Sequence, residues 1–510
     1  MIEGNSHQRG FKQSVDWHLV IVYLILVLIG WVNIYASIHS TAPASIFDFS
    51  ARCGKQFVWM LTAFGLAGLI LFVIPAGWWE GLSVPIYAGV LLLLVAVIFL
   101  GVEVKGSRSW FEFGAVRFQP AEISKISTSL MLALIMSQTG YKMGRRKDLL
   151  MTVGAIVLPM LVILAESETG SALVYLGFIF VLYREGLSGW WLGLIGLVIL
   201  LFVTTLALSP YTALLILLGI LVLCVAFYSP RGQGWTRFFI GAGVVLVLAL
   251  LPWIWGLLQQ AVQAKIEWMQ TVTYVPRANE TGKYFWSFIL KIKPIHILIV
   301  LSVIAAPLMG LLSYNTRDTV LGLSVAAFIV GIVLVFSSNF VVQKVLRQHQ
   351  RERIEVLLGI KSDPTGVGYN VNQSKIAIGS GGFFGKGFLN GTQTTFGFVP
   401  EQSTDFIFCT IGEEWGFVGC LFVILLYVYL IARIVLDAEK CRDPFVRIYG
   451  YCVASCIFMH LFINIGMTIG LMPVIGIPLP LLSYGGSSLW AFTVLIFIFI
   501  ALYRLDKKYY

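Results

Sequence analysis

The chain reads as an all-α, polytopic transmembrane helical bundle. Apolar runs of about 20 residues recur along it, and each is long enough to cross ~30 Å of hydrocarbon. Charge is scarce: 12% of the 510 residues are charged and 58% are hydrophobic, whereas a soluble domain carries about 25% charged residues. The mean hydropathy is +0.88. Backbone in hydrocarbon must satisfy its own hydrogen bonds, so the apolar runs are expected to be helices.

The first 17 residues are polar, and the apolar run that follows, from about Leu19 to Ala36, is too long for a signal-peptide core and lacks an A-x-A site. It predicts a first membrane helix at about 18–38, with Arg9 and Lys12 placing the N-terminus in the cytoplasm. Further spans are expected at about 56–75, 84–102, 122–139, 149–165 and 170–184, then at about 188–208, 211–228, 238–257, 294–313 and 318–337. Three more follow at about 406–432, 446–470 and 485–504, for a total of about 14. Short basic stretches mark the cytoplasmic side: Lys142, Arg145, Arg146 and Lys147; Arg433, Lys440, Arg442 and Arg447; and Arg504, Lys507 and Lys508.

The net charge of +10 follows from these loops and does not point to nucleic acid. The seven cysteines are scattered without a CxxC; near or inside apolar runs they read as small apolar residues. One polar segment, about 340–404, breaks the charge rule. Counting spans places it outside, yet it holds Lys344, Arg347, Arg351, Arg353, Lys361, Lys375 and Lys386. A long loop can be translocated despite its charge; the alternative is a site for an anion.

That segment carries Lys361-Ser-Asp-Pro-Thr-Gly-Val-Gly-Tyr369, where Asp-Pro and Gly-x-Gly are turn chemistry around Asp363. A glycine-rich stretch follows, whose backbone N–H groups could approach an anion closely. By itself such a stretch is more often only a loop. In sequence, however, D-P-x-G-x-G-Y, Q-S-x-I-A-I-G-S-G-G, G-T-Q, P-E-x-x-T-D-F-I-F and G-E-E-x-G resemble consecutive blocks of the bacterial RodA/FtsW/SpoVE (SEDS) family. Asn464-Ile-Gly-Met-Thr-Ile-Gly470, Pro478-Leu-Pro480 and Ser483-Tyr-Gly-Gly-Ser-Ser488 resemble its C-terminal signature. Lys105-Gly-Ser-Arg-Ser-Trp110 and Gln119-Pro-Ala-Glu122-Ile-Ser-Lys125 resemble its N-terminal third. The G-T-Q block is closer to the RodA branch.

The resemblance implies a core of about ten helices. The chain departs from it twice. About four extra helices are expected between 185 and 339, giving the organisation 1–184 N-terminal core, 185–339 inserted region, 340–405 large external catalytic loop and 406–510 C-terminal core. Glu166-Ser-Glu168 stands where the family commonly has Q-P-D, so Glu168 takes the usual aspartate position.

What the resemblance implies chemically is a peptidoglycan glycosyltransferase of the cytoplasmic membrane that polymerises lipid II during elongation, with inversion at the muramyl C1. Asp363 matches the loop aspartate that would take the acceptor hydroxyl's proton. Arg351, Lys375, Lys386, Trp110, Glu122, Lys125, Glu168, Glu401 and Asp405 are the substrate-site candidates. The departing pyrophosphate needs cations, either these side chains or a bound divalent metal such as Mg or Mn; no ligand cluster for one is legible. Glu122 and Lys125 share a helix face at i, i+3, as a purely structural ion pair would too. The implied partners are a class B penicillin-binding transpeptidase and the elongation machinery. Two rivals share many features: a lipid II flippase, which Pro/Gly-broken helices would suit, and a scaffold that only recruits the transpeptidase. Asp363 separates them, because only polymerisation requires a base.

Overall fold

The computed structural model describes residues 15–39, 45–104, 107–114, 116–228, 233–271, 291–346, 348–358, 360 and 368–509. Twelve helices among them are long and apolar enough to cross a membrane. The chain divides into two compact units, residues 1–189 with 363–510, and residues 190–362.

In the first unit, α1 is Trp17–Ile38, α2 Arg52–Gly68, α3 Ser83–Leu100, α4 Pro120–Ser137, α5 Arg146–Ala165, α6 Thr169–Val174 and α7 Phe178–Arg184. Asp16 caps α1 by accepting from the His18 and Leu19 N–H groups. Helix α4 has Pro120 in its first turn, where the missing N–H costs nothing. It is too polar to stand among the twelve, yet fourteen of its eighteen residues are buried. Its neighbours are helices instead of lipid: it packs on α3, α5 and the C-terminal helices described next. Its serines are quenched locally, Ser124 Oγ donating to Ala121 O at 2.7 Å and Ser129 Oγ to Lys125 O at 2.7 Å. The expected sixth span is broken: a 3-10 turn at Tyr175–Gly177 separates α6 from α7. Ser455 Oγ bonds Gly177 O, and Tyr175 OH reaches Ser124 Oγ at 2.7 Å.

A small antiparallel sheet, β1 Val102–Val104, β2 Ser107–Phe113 and β3 Val116–Phe118, connects α3 to α4 in the order β1-β2-β3. Val102 pairs with Trp110, and Phe111 with Phe118. Their apolar alternation, Val-Glu-Val, Phe-Glu-Phe and Val-Arg-Phe, is too short to be read as strands beside the long apolar runs.

The unit is completed by α8 Tyr369–Ser380, α9 Thr392–Thr395, α10 Ile407–Lys440, α11 Pro444–Thr468 and α12 Gly486–Tyr509. Of the most apolar stretches, 83% of α11 and 78% of α12 lie inside the protein, so these two are its centre. Helix α10 contains a kink at Gly416, φ 63° and ψ −158°. There the glycine-rich segment 381–387 inserts into the helix's hydrogen-bond ladder. Phe417 N donates to Gly382 O at 3.0 Å and Val418 N to Phe383 O at 3.1 Å, while Glu413 O and Glu414 O accept from Lys386 N at 3.0 Å and Gly387 N at 2.9 Å. The helix thus exchanges two of its own bonds for four with the loop. Only glycine fits at the crossing: a Cβ on Gly385 would collide with Glu414 O, and one on Gly416 would stand 2.8 Å from Phe383 O.

In the second unit, helices Trp190–Ala207, Pro210–Tyr228, Gly234–Thr271, Pro294–Thr316 and Thr319–Phe340 are followed by the short polar helix Gln348–Leu357. Its core is small, built on Leu201, Tyr211, Leu214, Leu217, Leu298 and Val335. Arg237 pairs with Asp318, which also caps the helix starting at Thr319.

Candidate active site

The substrate-site candidates of the first unit converge on the end where α4 begins and α10 begins. Trp110 is half-buried on β2, beside the fully buried Ser109. Glu168 accepts from Gln119 Nε2 and, at 2.7 Å, from Ser171 Oγ. Burial pushes the Glu168 carboxyl above the ordinary carboxylate range, against the hydrogen bonds from Ser171, Gln119 and Ser109. Its neighbour Glu166 is 3% exposed, and neither of its oxygens has a hydrogen-bond partner among the described residues. Burial, then the Glu168 charge, raises it to about 9. Ser167 between them takes a left-handed φ of 66°.

One turn into α4, Lys125 Nζ lies 2.9 Å from Glu122 Oε1. It also lies 2.7 Å from His460 Nε2 on α11 and 5.2 Å from the Phe492 ring centroid. All of this is buried: Lys125 is 2% and His460 1% exposed. An ammonium has only donors, so His460 Nε2 accepts and Nδ1 carries the ring proton; Nδ1 then donates to Pro478 O at 3.2 Å. One turn further along α11, Asn464 Nδ2 donates to Ile477 O at 2.7 Å and to Asp405 O at 2.8 Å. A polar seam therefore runs from Glu168 and Gln119, past Glu122, Lys125 and His460, to the 477–478 turn and Asp405.

Around Asp405 the loop before α10 is clamped on several sides. Ser483 Oγ donates to Thr404 O at 2.6 Å, Arg52 Nη1 to Ser403 Oγ at 2.6 Å, and Gln402 Nε2 to Ser37 O. Glu401 adopts φ 53° and receives Thr404 Oγ1 at 3.1 Å on its carboxylate. Lys375, exposed on α8, fills with its Cε and Nζ the space where a Cβ of Gly470 would stand. Ser374 beside it anchors α8, donating to Thr468 O at 2.7 Å.

Lys386 is committed within the protein: Nζ meets Glu413 Oε1 at 2.7 Å and Thr392 Oγ1 at 2.8 Å. Glu413, fully buried, also accepts from Gln393 N at 2.8 Å and from Thr394 N and Oγ1 at 2.9 Å each. It pins the G-T-Q turn onto α10. Of the two readings open for the glycine-rich stretch, an anion cradle or a loop whose glycines serve its geometry, the backbone bonds favour the second. Gly385 N donates to Gly381 O at 2.8 Å, and the N–H groups of Lys386 and Gly387 go to α10; the glycines serve close backbone packing.

Arg351 belongs to the second unit, where it pairs at 2.6 Å with Glu355. Asp363 lies outside the described residues. Among the described residues no three His, Cys, Asp or Glu side chains group to hold a metal. Sequence reading missed His460 and Glu413. The signal for His460 was available, since it precedes Asn464 by one helical turn in an apolar run, where an ionisable residue demands a partner.

The fold and the seam define a polytopic membrane protein with a buried ionic site beneath a structured loop. The chain belongs to the FTSW/RODA/SPOVE cell cycle protein family, whose model matches residues 16–236 and 268–508. The match thus enters the region 185–339, further than the polar motifs carried. The chain is 30% identical to peptidoglycan glycosyltransferase MrdB of Escherichia coli K12, over 95% of this chain and 93% of that protein. It is 29% identical to peptidoglycan glycosyltransferase RodA of Treponema pallidum, over 93% and 94%. Among solved structures, a chain of a peptidoglycan synthase complex that coordinates polymerization and crosslinking aligns with a TM-score of 0.55, 22% identity and coverage of 96% and 98%. The rod shape determining protein RodA of Thermus thermophilus aligns with a TM-score of 0.51, 21% identity and coverage of 96% and 97%. The chain is a multi-pass protein of the bacterial cytoplasmic membrane.

Proposed function

We infer that the chain is a peptidoglycan glycosyltransferase that polymerises lipid II into glycan strands during cell elongation and so maintains cell shape. The observation that carries this reading is the near full-length match to relatives bearing that activity. In the reaction the C4 hydroxyl of an acceptor glucosamine attacks the muramyl C1 of a lipid II unit. The C1–O bond to undecaprenyl pyrophosphate breaks on the opposite face, which inverts the anomeric centre. A sugar hydroxyl is a weak nucleophile at neutral pH, so a carboxylate must take its proton, and Asp363 is assigned that role.

Negative charge grows on the departing pyrophosphate. Lys375, exposed at the Gly470 notch, is the cation of the first unit best disposed to meet it. Lys386, held by Glu413, shapes the loop instead. Glu122 and Lys125 form the intramembrane part of the substrate site, with Glu168, Trp110, Glu401 and Asp405 at its rim. A divalent cation, Mg or Mn, is proposed only as a companion of the pyrophosphate. The described residues group no set of three metal ligands. A class B penicillin-binding transpeptidase and the elongation machinery are the proposed partners.

The test is polymerisation of lipid II by the purified chain with its transpeptidase, in the presence of moenomycin to silence classical glycosyltransferases. Asp363→Asn keeps size and removes the base, so the rate should fall by roughly 10²-fold or more while folding and partner binding persist. A near-wild-type rate overturns the base assignment, and lipid II movement across sealed vesicles then becomes the measurement that decides for transport.

A further inference from the structure

The segment Gly381–Leu389 is wedged against α10 at a definite depth. Asp16, at the start of α1, receives Arg433 Nε of α10 at 2.7 Å. Ser37 O, at the other end of α1, receives Gln402. Helix α1 has 22 residues, about 33 Å, which matches the hydrocarbon thickness. Val418, which bonds the loop at Phe383 O, lies fifteen residues before Arg433, roughly 22 Å along the helix axis. The loop tip therefore sits inside the slab that α1 spans, roughly 11 Å short of its far boundary, and not above it.

The surface of the tip agrees with that depth. Phe384 is 79% and Phe383 59% exposed. Phe383 stacks on Phe417 with centroids 5.7 Å apart, and Phe388 approaches Trp415 at 6.1 Å. Phe417 and Trp415 are exposed on α10, and Leu421, Phe422 and Leu425 continue the exposed face along the same membrane helix. The aromatic tip is thus continuous with a lipid-facing stripe. The segment's single charged residue, Lys386, is paired with Glu413, and its backbone groups bond to α10, the condition for irregular backbone at membrane depth.

We propose that the Phe383–Phe384 tip is a lipid-contacting wedge, seated among the acyl chains of the outer leaflet beside α10. Phenylalanine is favourable within the hydrocarbon, and an exposed apolar patch of this kind needs a cover. The wedge fixes the height of the external loop against the bilayer. It follows from the loop's own surface and stands apart from the catalytic assignment.

The test is a nitroxide at Phe384→Cys in the full chain in liposomes of phosphatidylethanolamine and phosphatidylglycerol. The background carries Cys224→Ser, because Cys224 alone of the native cysteines is not buried. Labels at Phe422 and at the exposed Lys147 of the basic loop give the lipid and water references. The oxygen-to-nickel-chelate accessibility ratio at 384 should match that at 422 and exceed that at 147. A ratio like that at 147 places the tip in water and overturns the proposal. Low accessibility to both reagents overturns it too, since the cover would then be protein, a second copy or a partner.

Discussion

At the scale of single residues, the buried ions set the sharpest constraints. Lys125 is the only cation bonded to Glu122 among the described residues, and Glu122 Oε2 already lacks a hydrogen-bond partner there. Lys125→Ala leaves a carboxylate and the His460 acceptor unpaired in the bundle. Breaking a buried pair in this way costs about 3–5 kcal/mol. Thermal stability in detergent should drop sharply, and adding Glu122→Gln should recover part of it; a fully stable Lys125→Ala would contradict the pairing. Glu166 behaves oppositely. Its folded-state value is raised from 4.5 to about 9, so the folded protein holds a proton that the unfolded chain releases. Its stabilising share is complete below about 4.5 and is lost as pH rises toward 9. Glu166→Gln, the residue type the family commonly carries there, should raise the melting temperature by a few degrees, with a gain that grows from pH 5 to pH 9. The site was half-legible at this scale. Glu122 with Lys125 could be read as a pair because i, i+3 spacing on one helix is local. His460 could not be joined to them, because that contact spans 335 residues and depends on how α4 packs on α11.

At the scale of elements, each expected span meets a helix, because an apolar run of the right length has few alternatives in lipid. What escaped was irregular. The β1–β3 sheet rests on short strands whose alternation, Val-Glu-Val, Phe-Glu-Phe and Val-Arg-Phe, runs for only three residues each. The insertion of 381–387 into α10 rests on glycines at 381, 385, 412 and 416, whose purpose shows only when two backbones meet. The glycine run was read as a candidate anion cradle because turn glycine and packing glycine look alike in sequence. The difference is testable. Gly416 takes φ 63° and ψ −158°, a conformation essentially confined to glycine, and its Cβ position is occupied by loop backbone. Gly416→Ala should destabilise by at least about 1–3 kcal/mol and lower the yield of monodisperse protein. Gly379→Ala, on α8 with nothing within 4 Å of its new methyl, should be neutral. Equal losses at both positions would refute the insertion as the cause.

At the scale of the whole molecule, the contacts of the first unit sort its loops into two ends. One end gathers Asp16 with Arg433, Arg184 with Glu439, Glu185 with Arg447, and Arg504 with Leu71 O. The other gathers Ser37 with Gln402, Arg52 with Ser403, Gln119 with Glu168, and Gln56 with Gly485 N. Residue 184 lies at the first end and the 401–405 loop at the second, so the intervening chain must cross the membrane an odd number of times. Among its described residues the second unit supplies five candidate spans, an odd number. The first end carries Arg433, Lys440, Arg442, Arg447, Arg504 and Lys507, and alternation along α4 and α5 adds the basic loop 142–147. Short basic loops stay in the cytoplasm, so the first end faces inward, and the second, with Lys375, Glu401, Asp405 and the sheet, faces outward. The basic character of the external loop does not oppose this, because a long loop is translocated regardless of its charge, and two of its seven cations are paired within the protein, Lys386 with Glu413 and Arg351 with Glu355. A membrane-impermeant maleimide should therefore label Glu112→Cys on the exposed face of β2 in intact spheroplasts, and label Lys147→Cys only after permeabilisation, with Cys224 replaced by serine to remove background. Labelling of residue 112 only from the cytoplasmic side would invert the whole bundle and place the polar seam's mouth away from an externally delivered substrate.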